Sequence, residues 1–374
     1  MSHSNILIVG GGCAGIAVAS RINNLKSDLS ISIIEPSEKS LYQAAWTLVG
    51  AGAYDVENTI KPMSEVMPKY VKWIKEYAEE FIPEKNSVKT NKGNYTYDYL
   101  VVCPGLKLNF DGVKGLKEHL GKNNVCTNYS AEMATYTWEC LKKLEGGTLL
   151  FTEPPMPIKC AGAPQKIAYL AADHLKKKGK LKDSQLEFLC AKPVIFGVPH
   201  FQGPLNEICD NYGIKRSFQH NLISVDGNSK EAVFKQSDKD GNTKEITKKF
   251  DFIHVTPPQT SPDFVKNSPL ADAGGWVDVD HKVGTLRHTK FDNVYSLGDV
   301  MNAPNAKTGA AVRKQAPIVA HNIIKDINKS ADSYRHYDGY GACPLTVAYG
   351  KVMLAEFCYA GKVTPSFPFD PTKP

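Results

Sequence analysis

No two of the nine cysteines, at positions 13, 103, 126, 140, 160, 190, 209, 343 and 358, stand closer than 14 residues. This spacing removes the CxxC knuckles of zinc sites and thioredoxin-like pairs, and the ligand runs of iron-sulfur clusters. No metal is expected, and any redox chemistry of these thiols must join cysteines distant in sequence. Long apolar runs are missing too. A spanning helix needs roughly 18 predominantly apolar residues, whereas the uncharged N-terminal stretch breaks at Gly10, Gly11 and Gly12, directly after Ile6 to Val9. Only His3 precedes that block, so no positive leader of a secretory signal is present. The chain reads as soluble or surface-bound. A strong charge of one sign is also absent: 45 Lys and Arg against 39 Asp and Glu leave +6 over 374 residues. That balance implies a faintly basic surface and no nucleic-acid partner. The basic run Leu175 to Lys182 has no interleaved aromatics and reads as a solvated helix end and loop, with an anionic membrane contact held in reserve. No internal repeat or low-complexity tract stands out, and the length suits two or three domains.

What is present starts at the N-terminus. Asn5 to Val9 is a short continuous apolar run, as expected of a parallel strand buried on both faces. Gly10, Gly12 and Gly15 follow in GxGxxG spacing, then a helical segment, then a second apolar run, Ile31 to Ile34, ending in Glu35. Gly10 permits the tight turn, Gly12 lets the backbone approach a pyrophosphate, and Gly15 lets helix pack on strand. The phosphates would sit at the helix N-terminus, and Glu35 would accept both hydroxyls of an adenosine ribose. An acid at that position argues against NADP.

FAD is favoured over NAD by two further segments. Val294 to Asp299 (VYSLGD) is a strand that delivers Gly298 and Asp299, followed by the helical stretch Thr308 to Ile324. It resembles the second FAD motif of flavoproteins with two dinucleotide domains, whose Asp accepts from the ribityl chain and whose helix aims at the flavin pyrimidine. Tyr99 to Gly105 (YLVVCPG) resembles their middle strand, with Cys103 and Pro104 in place of Ala and Thr. NADH-using members carry another GxGxxG in the middle third of the chain, and Leu144 to Val198 has none. The flavin must then be reduced by something else.

One thiol of that region has an activating environment. Cys160 lies beside Lys159 and just before a helical pattern that begins near Pro164. A thiol at a helix N-terminus next to a cation is thiolate-rich at neutral pH. Cys343 sits in a stretch without charged residues from Gly339 to Gly350. Taken singly, any of the nine cysteines reads more readily as an inert core thiol than as a reactive one.

The combination GGGCAG at Gly10, PIKCAGAPQK around Cys160, HVTPPQ at His254, GWVDVD at Gly275, SLGD at Ser296, NAKTGAAV at Asn305 and GYGACPL around Cys343 resembles sulfide:quinone oxidoreductases of the mitochondrial-like type. The resemblance runs from Asn5 to about Asp370. It implies a disulfide or sulfur-bridged pair, Cys160 with Cys343, that hydrosulfide attacks to leave a persulfide and a thiolate. The thiolate would reduce FAD. A quinone (ubiquinone or menaquinone) would take the electrons, and the sulfane sulfur would leave as polysulfide or pass to a small thiol or a second sulfide. Cys126 resembles the place where some bacterial relatives keep a third cysteine, as a sulfur relay or a covalent flavin link. Lys166 stands where several bacterial relatives place an acid near the quinone. Lys307, next to Thr308, would stabilise a reduced flavin or a quinone oxygen, with a plain surface lysine as the alternative. Gln43 and Trp46 would line the flavin or simply pack. His200 and His254 read as ordinary hydrogen-bonded histidines that could also carry protons.

The expected architecture is α/β, with two Rossmann-like dinucleotide-binding domains of the FAD/NAD(P)-binding fold plus a C-terminal cap segment. FAD-binding parts are expected over 1–110 and 271–330, with Gly105 near the end of the first. The second Rossmann-like domain, without an NADH motif, is expected over 111–270, and the cap that covers the flavin with Cys343 over 331–374. Residues Ser237 to Lys244 read as a hairpin tip. The resemblance also implies a peripheral protein of an inner (plasma) membrane, and a homo-oligomer is compatible with it. Relatives dock through an amphipathic tail after an FPFD-like segment, and this chain stops at Pro374, four residues beyond Asp370. Either the sequence is cut there or docking falls to the basic surface. The alternatives are a type II NADH:quinone oxidoreductase, which would need an NADH site, and the flavin subunit of a flavocytochrome c sulfide dehydrogenase, which is normally exported.

Overall fold

The structure, a computed structural model, describes residues 2–374. Two compact units each draw on three segments of the chain. The first holds residues up to Leu41, Ile60–Lys107 and Thr260–Ala342; the second holds Tyr42–Thr59, Leu108–Gln259 and Cys343–Pro374. Relative to the sequence-based boundaries, a short segment after Glu35 and the chain from Cys343 onward fall in the second unit. Neither carries a composition shift that would mark it.

In the first unit the opening apolar run forms the strand Ser2–Val9, whose Ile6, Leu7, Ile8 and Val9 are all buried. It pairs in parallel with Ile31–Ile34 on one side and Asn94–Val102 on the other, and Val294–Ser296 adds in parallel to the last of these. Among the described residues the sheet has seven strands. The strand expected from Tyr99 starts earlier, at Asn94, because its first half also pairs antiparallel with Ser87–Thr90. Polar alternation in that half hid it from a search for apolar runs. The helix Cys13–Leu25 buries Ala14, Gly15, Val18, Ala19 and Ile22 as one stripe and packs against the helix Gly309–Asn328.

The second unit is a five-stranded parallel sheet in the order Val125–Cys126, Phe252–His254, Gly147–Glu153, Ser184–Cys190, Lys215–Phe218. The helix Ala163–Lys177 makes the crossover from Gly147–Glu153 to Ser184–Cys190, a βαβ unit with its glycine turn replaced by the loop that carries Cys160. A three-stranded antiparallel sheet follows, and the turn at Asp238 to Asn242, where Asp238 accepts from the N–H groups of Asp240 and Asn242, lies within the expected hairpin tip. The C-terminal hairpin, Gly341–Ala348 with Lys351–Phe357, places Leu345, Val347, Met353 and Ala355 in the same apolar core as Phe151, Ile167 and Leu170. Both units are thus of the dinucleotide-binding α/β type.

Candidate functional site

The glycines of the first unit are shaped for a dinucleotide. Gly10 has φ +106, and a Cβ there would stand 2.4 Å from the carbonyl oxygen of Cys103. A Cβ on Gly15 would stand 1.9 Å from the carbonyl oxygen of Gly10, so helix and turn touch only because neither has a side chain. Around Gly12 and Gly105, in contrast, a Cβ would meet no atom within 4 Å, which leaves space beside bare backbone. Glu35 accepts from the N–H of Gly11 and of Ser37, each at 2.8 Å, which fixes its carboxylate while each oxygen keeps a lone pair for a ribose hydroxyl.

The second motif of this unit is equally constrained. Gly298 has φ +82 and donates its N–H to Gln315 at 2.9 Å. Asp299 follows it directly. Thr308 caps the helix Gly309–Asn328, its hydroxyl accepting from the N–H of Ala311 at 3.2 Å. Neither this helix nor Cys13–Leu25 has an acid in its first turn, so both positive ends stay available to phosphate or flavin oxygens. Lys307 is buried, and its ammonium donates to the carbonyls of Asp299 at 2.6 Å and Met301 at 2.9 Å under the ring of Trp276. Burial pushes its pKa down to about 8, against the charges of Asp299 and Asp272. It braces the Gly298–Asp299 loop from within. These residues fit an FAD: bare backbone for the pyrophosphate, a held acid for the ribose, and two unshielded helix ends.

In the second unit the loop before Ala163–Lys177 brings Cys160 to Cys343. Cys160 adopts φ +52, and its carbonyl accepts from Ala163 at 2.7 Å. The Cys343 thiol donates to the Cys160 sulfur, which holds Cys160 well below the usual thiol range and Cys343 well above it. The ammonium of Lys166, 3.6 Å from the Cys160 sulfur, and the N–H of Gly162 add to that hold against the penalty of burial. The proton of the pair is therefore favoured on Cys343, and the negative charge on Cys160. Gly162 makes the approach possible: a Cβ there would stand 2.3 Å from Leu345 and 3.5 Å from the Cβ of Cys343. Lys166 stands in the first turn of the helix that follows the Cys160 loop, and its role came from the fold. In the sequence only its departure from bacterial relatives marked it.

Other expected residues fall around the same loop. Gln43 bonds to the ammonium of Lys159 through its side-chain oxygen, and the backbone N–H of Lys159 donates to Gln259 at 2.8 Å. Trp46 is buried and donates to Thr59 at 3.1 Å, a packing position. Cys126, at the end of its strand, is fully buried, and its thiol meets Cys140. His254 is buried and its Nε2 accepts from the N–H of Asn128 at 3.0 Å, so the proton of the neutral ring is on Nδ1. Burial pushes its pKa down to about 3, and it carries no proton in exchange near neutrality. His200 packs against the ring of Phe201. The basic run after Leu175 ends a helix, with Lys178 and Lys180 both paired to Glu145.

Two residues that sequence reasoning passed over complete the surroundings. Glu153, at the end of the strand Gly147–Glu153, is buried against Lys192 at 2.5 Å, and Tyr129 reaches the carbonyl of Lys159 at 3.4 Å. The signal for Glu153 was an acid closing an apolar run, which is also how Glu35 was found.

Comparison with known proteins agrees with this arrangement. Residues 4–135 match the family described as pyridine nucleotide-disulphide oxidoreductase. The mitochondrial sulfide:quinone oxidoreductase of Dictyostelium discoideum is 45% identical over 99% of this chain and 81% of its own length. That of Mus musculus is 40% identical over 100% of this chain and 82% of its own length. The crystal structure of the sulfide:quinone oxidoreductase from Aquifex aeolicus superposes with a TM-score of 0.77 at 25% identity, covering 92% of this chain and 81% of that one. No helix among the described residues is long and apolar enough to cross a membrane. The held acid, the bare glycine turns and 40–45% identity with mitochondrial enzymes over nearly the whole of this chain make it a member of the sulfide:quinone oxidoreductase family, an FAD flavoenzyme that oxidises sulfide and reduces a quinone.

Proposed function

We propose that sulfide is oxidised at a bridge between Cys160 and Cys343. The observation that carries this is the meeting of Cys160 with Cys343 across Gly162, with the Lys166 ammonium 3.6 Å from the Cys160 sulfur, surroundings that lower the Cys160 pKa. In thiol–disulfide exchange the sulfur with the lower pKa leaves faster. Hydrosulfide therefore attacks the sulfur of Cys343, a new S–S bond forms there, and Cys160 departs as the thiolate. Cys343 keeps the persulfide, whose outer sulfur passes to a small thiol or to a second sulfide. The dithiol that remains closes again and gives up two electrons. FAD, when bound, would supply the two-electron acceptor between this pair and a quinone. Gly10, Gly12, Gly15 and Gly105 bind its phosphates and chain by bare backbone, Glu35 its ribose, and Gly298, Asp299 and Thr308 its flavin end. Lys307 keeps their loop in place.

Cys126 is assigned no step, because its thiol bonds to Cys140 within the core. The quinone requires a membrane surface as partner. In the purified protein, sulfide should bleach the flavin absorbance and NADH should not. Cys160→Ser and Cys343→Ser should each abolish the bleaching, and full reduction in both variants would overturn the assignment.

A further inference from the structure

Cys160 takes a positive φ of +52, a conformation that residues other than glycine adopt at a cost and keep only where their surroundings impose it. What imposes it is attached to the residue before. The N–H of Lys159 donates to the side-chain oxygen of Gln259 at 2.8 Å, and the Lys159 carbonyl accepts from the hydroxyl of Tyr129 at 3.4 Å. That carbonyl lies in the same peptide plane as the Cys160 nitrogen, so holding it sets the direction from which Cys160 turns. The Lys159 side chain is held as well, its ammonium bonded to Gln43 and placed over the Tyr129 ring at 5.9 Å. On the other side the Cys160 carbonyl accepts from the N–H of Ala163 at 2.7 Å. The holders are themselves anchored. Gln259 follows Pro257 and Pro258, whose rings restrict the chain, and the Pro258 carbonyl accepts from the N–H of Asn109 at 2.8 Å. Tyr129 follows Asn128, whose N–H donates to Nε2 of His254 at 3.0 Å. Burial raises the Tyr129 pKa well above its usual range, so its hydroxyl keeps its proton and stays a donor. Lys159 is thus clamped from the ends of two neighbouring strands, Val125–Cys126 and Phe252–His254, while its own loop leaves the third, Gly147–Glu153.

We propose that Gln259 and Tyr129 are positioning residues of sulfide oxidation, which hold the Lys159 backbone so that Cys160 stays turned with its sulfur against Cys343 and Lys166. The inference rests on the Cys160–Cys343 bridge proposed above. A disulfide closes only within a narrow geometry, with Cβ atoms about 3.5–4.5 Å apart. When the bridge is open, nothing covalent keeps Cys160 in its left-handed conformation, and a free loop would relax away from it. Each closure would then cost the ordering of that loop again. The clamp keeps the open loop ordered, so the two sulfurs meet at high effective concentration and closure is favoured. Neither residue takes part in a bond that forms or breaks.

The test is a redox titration of the pair. Flavin-loaded protein is equilibrated anaerobically, near neutral pH, in mixtures of reduced and oxidised dithiothreitol, then quenched in acid. The free thiols of Cys160 and Cys343 are alkylated and counted by peptide mass spectrometry. One dithiol and the bridge give one cyclic disulfide and two cysteine thiols, so the ratio of reduced to oxidised dithiothreitol at half-reduction measures how strongly closure is favoured. Gln259→Met keeps the length of the side chain and removes the acceptor, whereas Tyr129→Phe keeps the ring and removes the donor. Each should lower that ratio by about tenfold, which is about 30 mV for a two-electron couple. A loss of packing alone would lower the denaturation midpoint and leave the equilibrium between two folded forms unchanged. If one variant folds poorly the other decides. Ratios equal to that of wild type in both variants would overturn the positioning role and leave the bridge standing. A wild-type protein that forms no Cys160–Cys343 bridge at any ratio would overturn the bridge, and this role with it.

Discussion

At the residue scale the site depends on a few charges placed by packing. The Cys160 thiolate owes its first support to the Cys343 thiol and its next to Lys166, whose ammonium is buried beside it. Lys166→Met should therefore slow alkylation of reduced Cys160 by iodoacetamide at neutral pH by about tenfold or more, since the thiolate is the reacting form. Lys166→Arg should restore most of the rate. An unchanged rate in the Met variant, followed by peptide mass spectrometry, would remove Lys166 from the site. In the first unit, Gly15→Ala puts a methyl within 1.9 Å of the Gly10 carbonyl oxygen. The turn cannot open without moving the helix end that serves the phosphates, so the purified variant should have lost most of its flavin, read as the ratio of flavin to protein absorbance.

At the scale of elements, the loop of Cys160 and the strand of Cys343 approach only across Gly162. Gly162→Ala drives a methyl into the buried end of Leu345, an overpacking that costs about 1–3 kcal/mol. It should lower the urea midpoint and slow flavin reduction by sulfide together, whereas a change in only one of them would separate packing from the pair. The far end of the same contact is tied by Asp173. Although burial opposes it, hydrogen bonds from Lys177 and from the N–H of Tyr349 hold its carboxyl below the usual 3.8. A lowered carboxyl pKa gives stability that is present above the unfolded value and is lost as pH falls through the folded one. Asp173→Asn should thus be less stable than wild type at neutral pH, and the gap between their denaturation midpoints should close below about pH 3.8.

At the scale of the molecule, each unit is built from three chain segments, and the last segment completes the second unit. Leu345, Val347 and Met353 of the C-terminal hairpin are buried in its core, and each such side chain is worth about 1.5–3 kcal/mol. Their sum is of the size of a domain's whole stability, about 5–15 kcal/mol. A chain ending at Ala342 should therefore show fast hydrogen exchange throughout 108–259, besides lacking Cys343. Protection equal to wild type would show that the hairpin is an accessory.

Much of this molecule was legible in one dimension. Gly10, Gly12, Gly15 and Glu35 lie within one strand-turn-helix-strand unit, where local sterics and 20 residues of spacing determine the geometry; the same holds for Gly298 and for Thr308 as a helix cap. The missing glycine motif before Cys160 was equally local. Chain segments that share no neighbours in sequence were decided only by the tertiary structure. It gave 42–59 to the second unit, set Lys166 over Cys160, buried Lys307 under Trp276, and enclosed Glu153 beside Lys192. The physical reason is that local sterics act over a few residues, whereas burial and charge act over space. A pKa follows from whichever groups the packed core brings near, and the sequence does not list those groups in order.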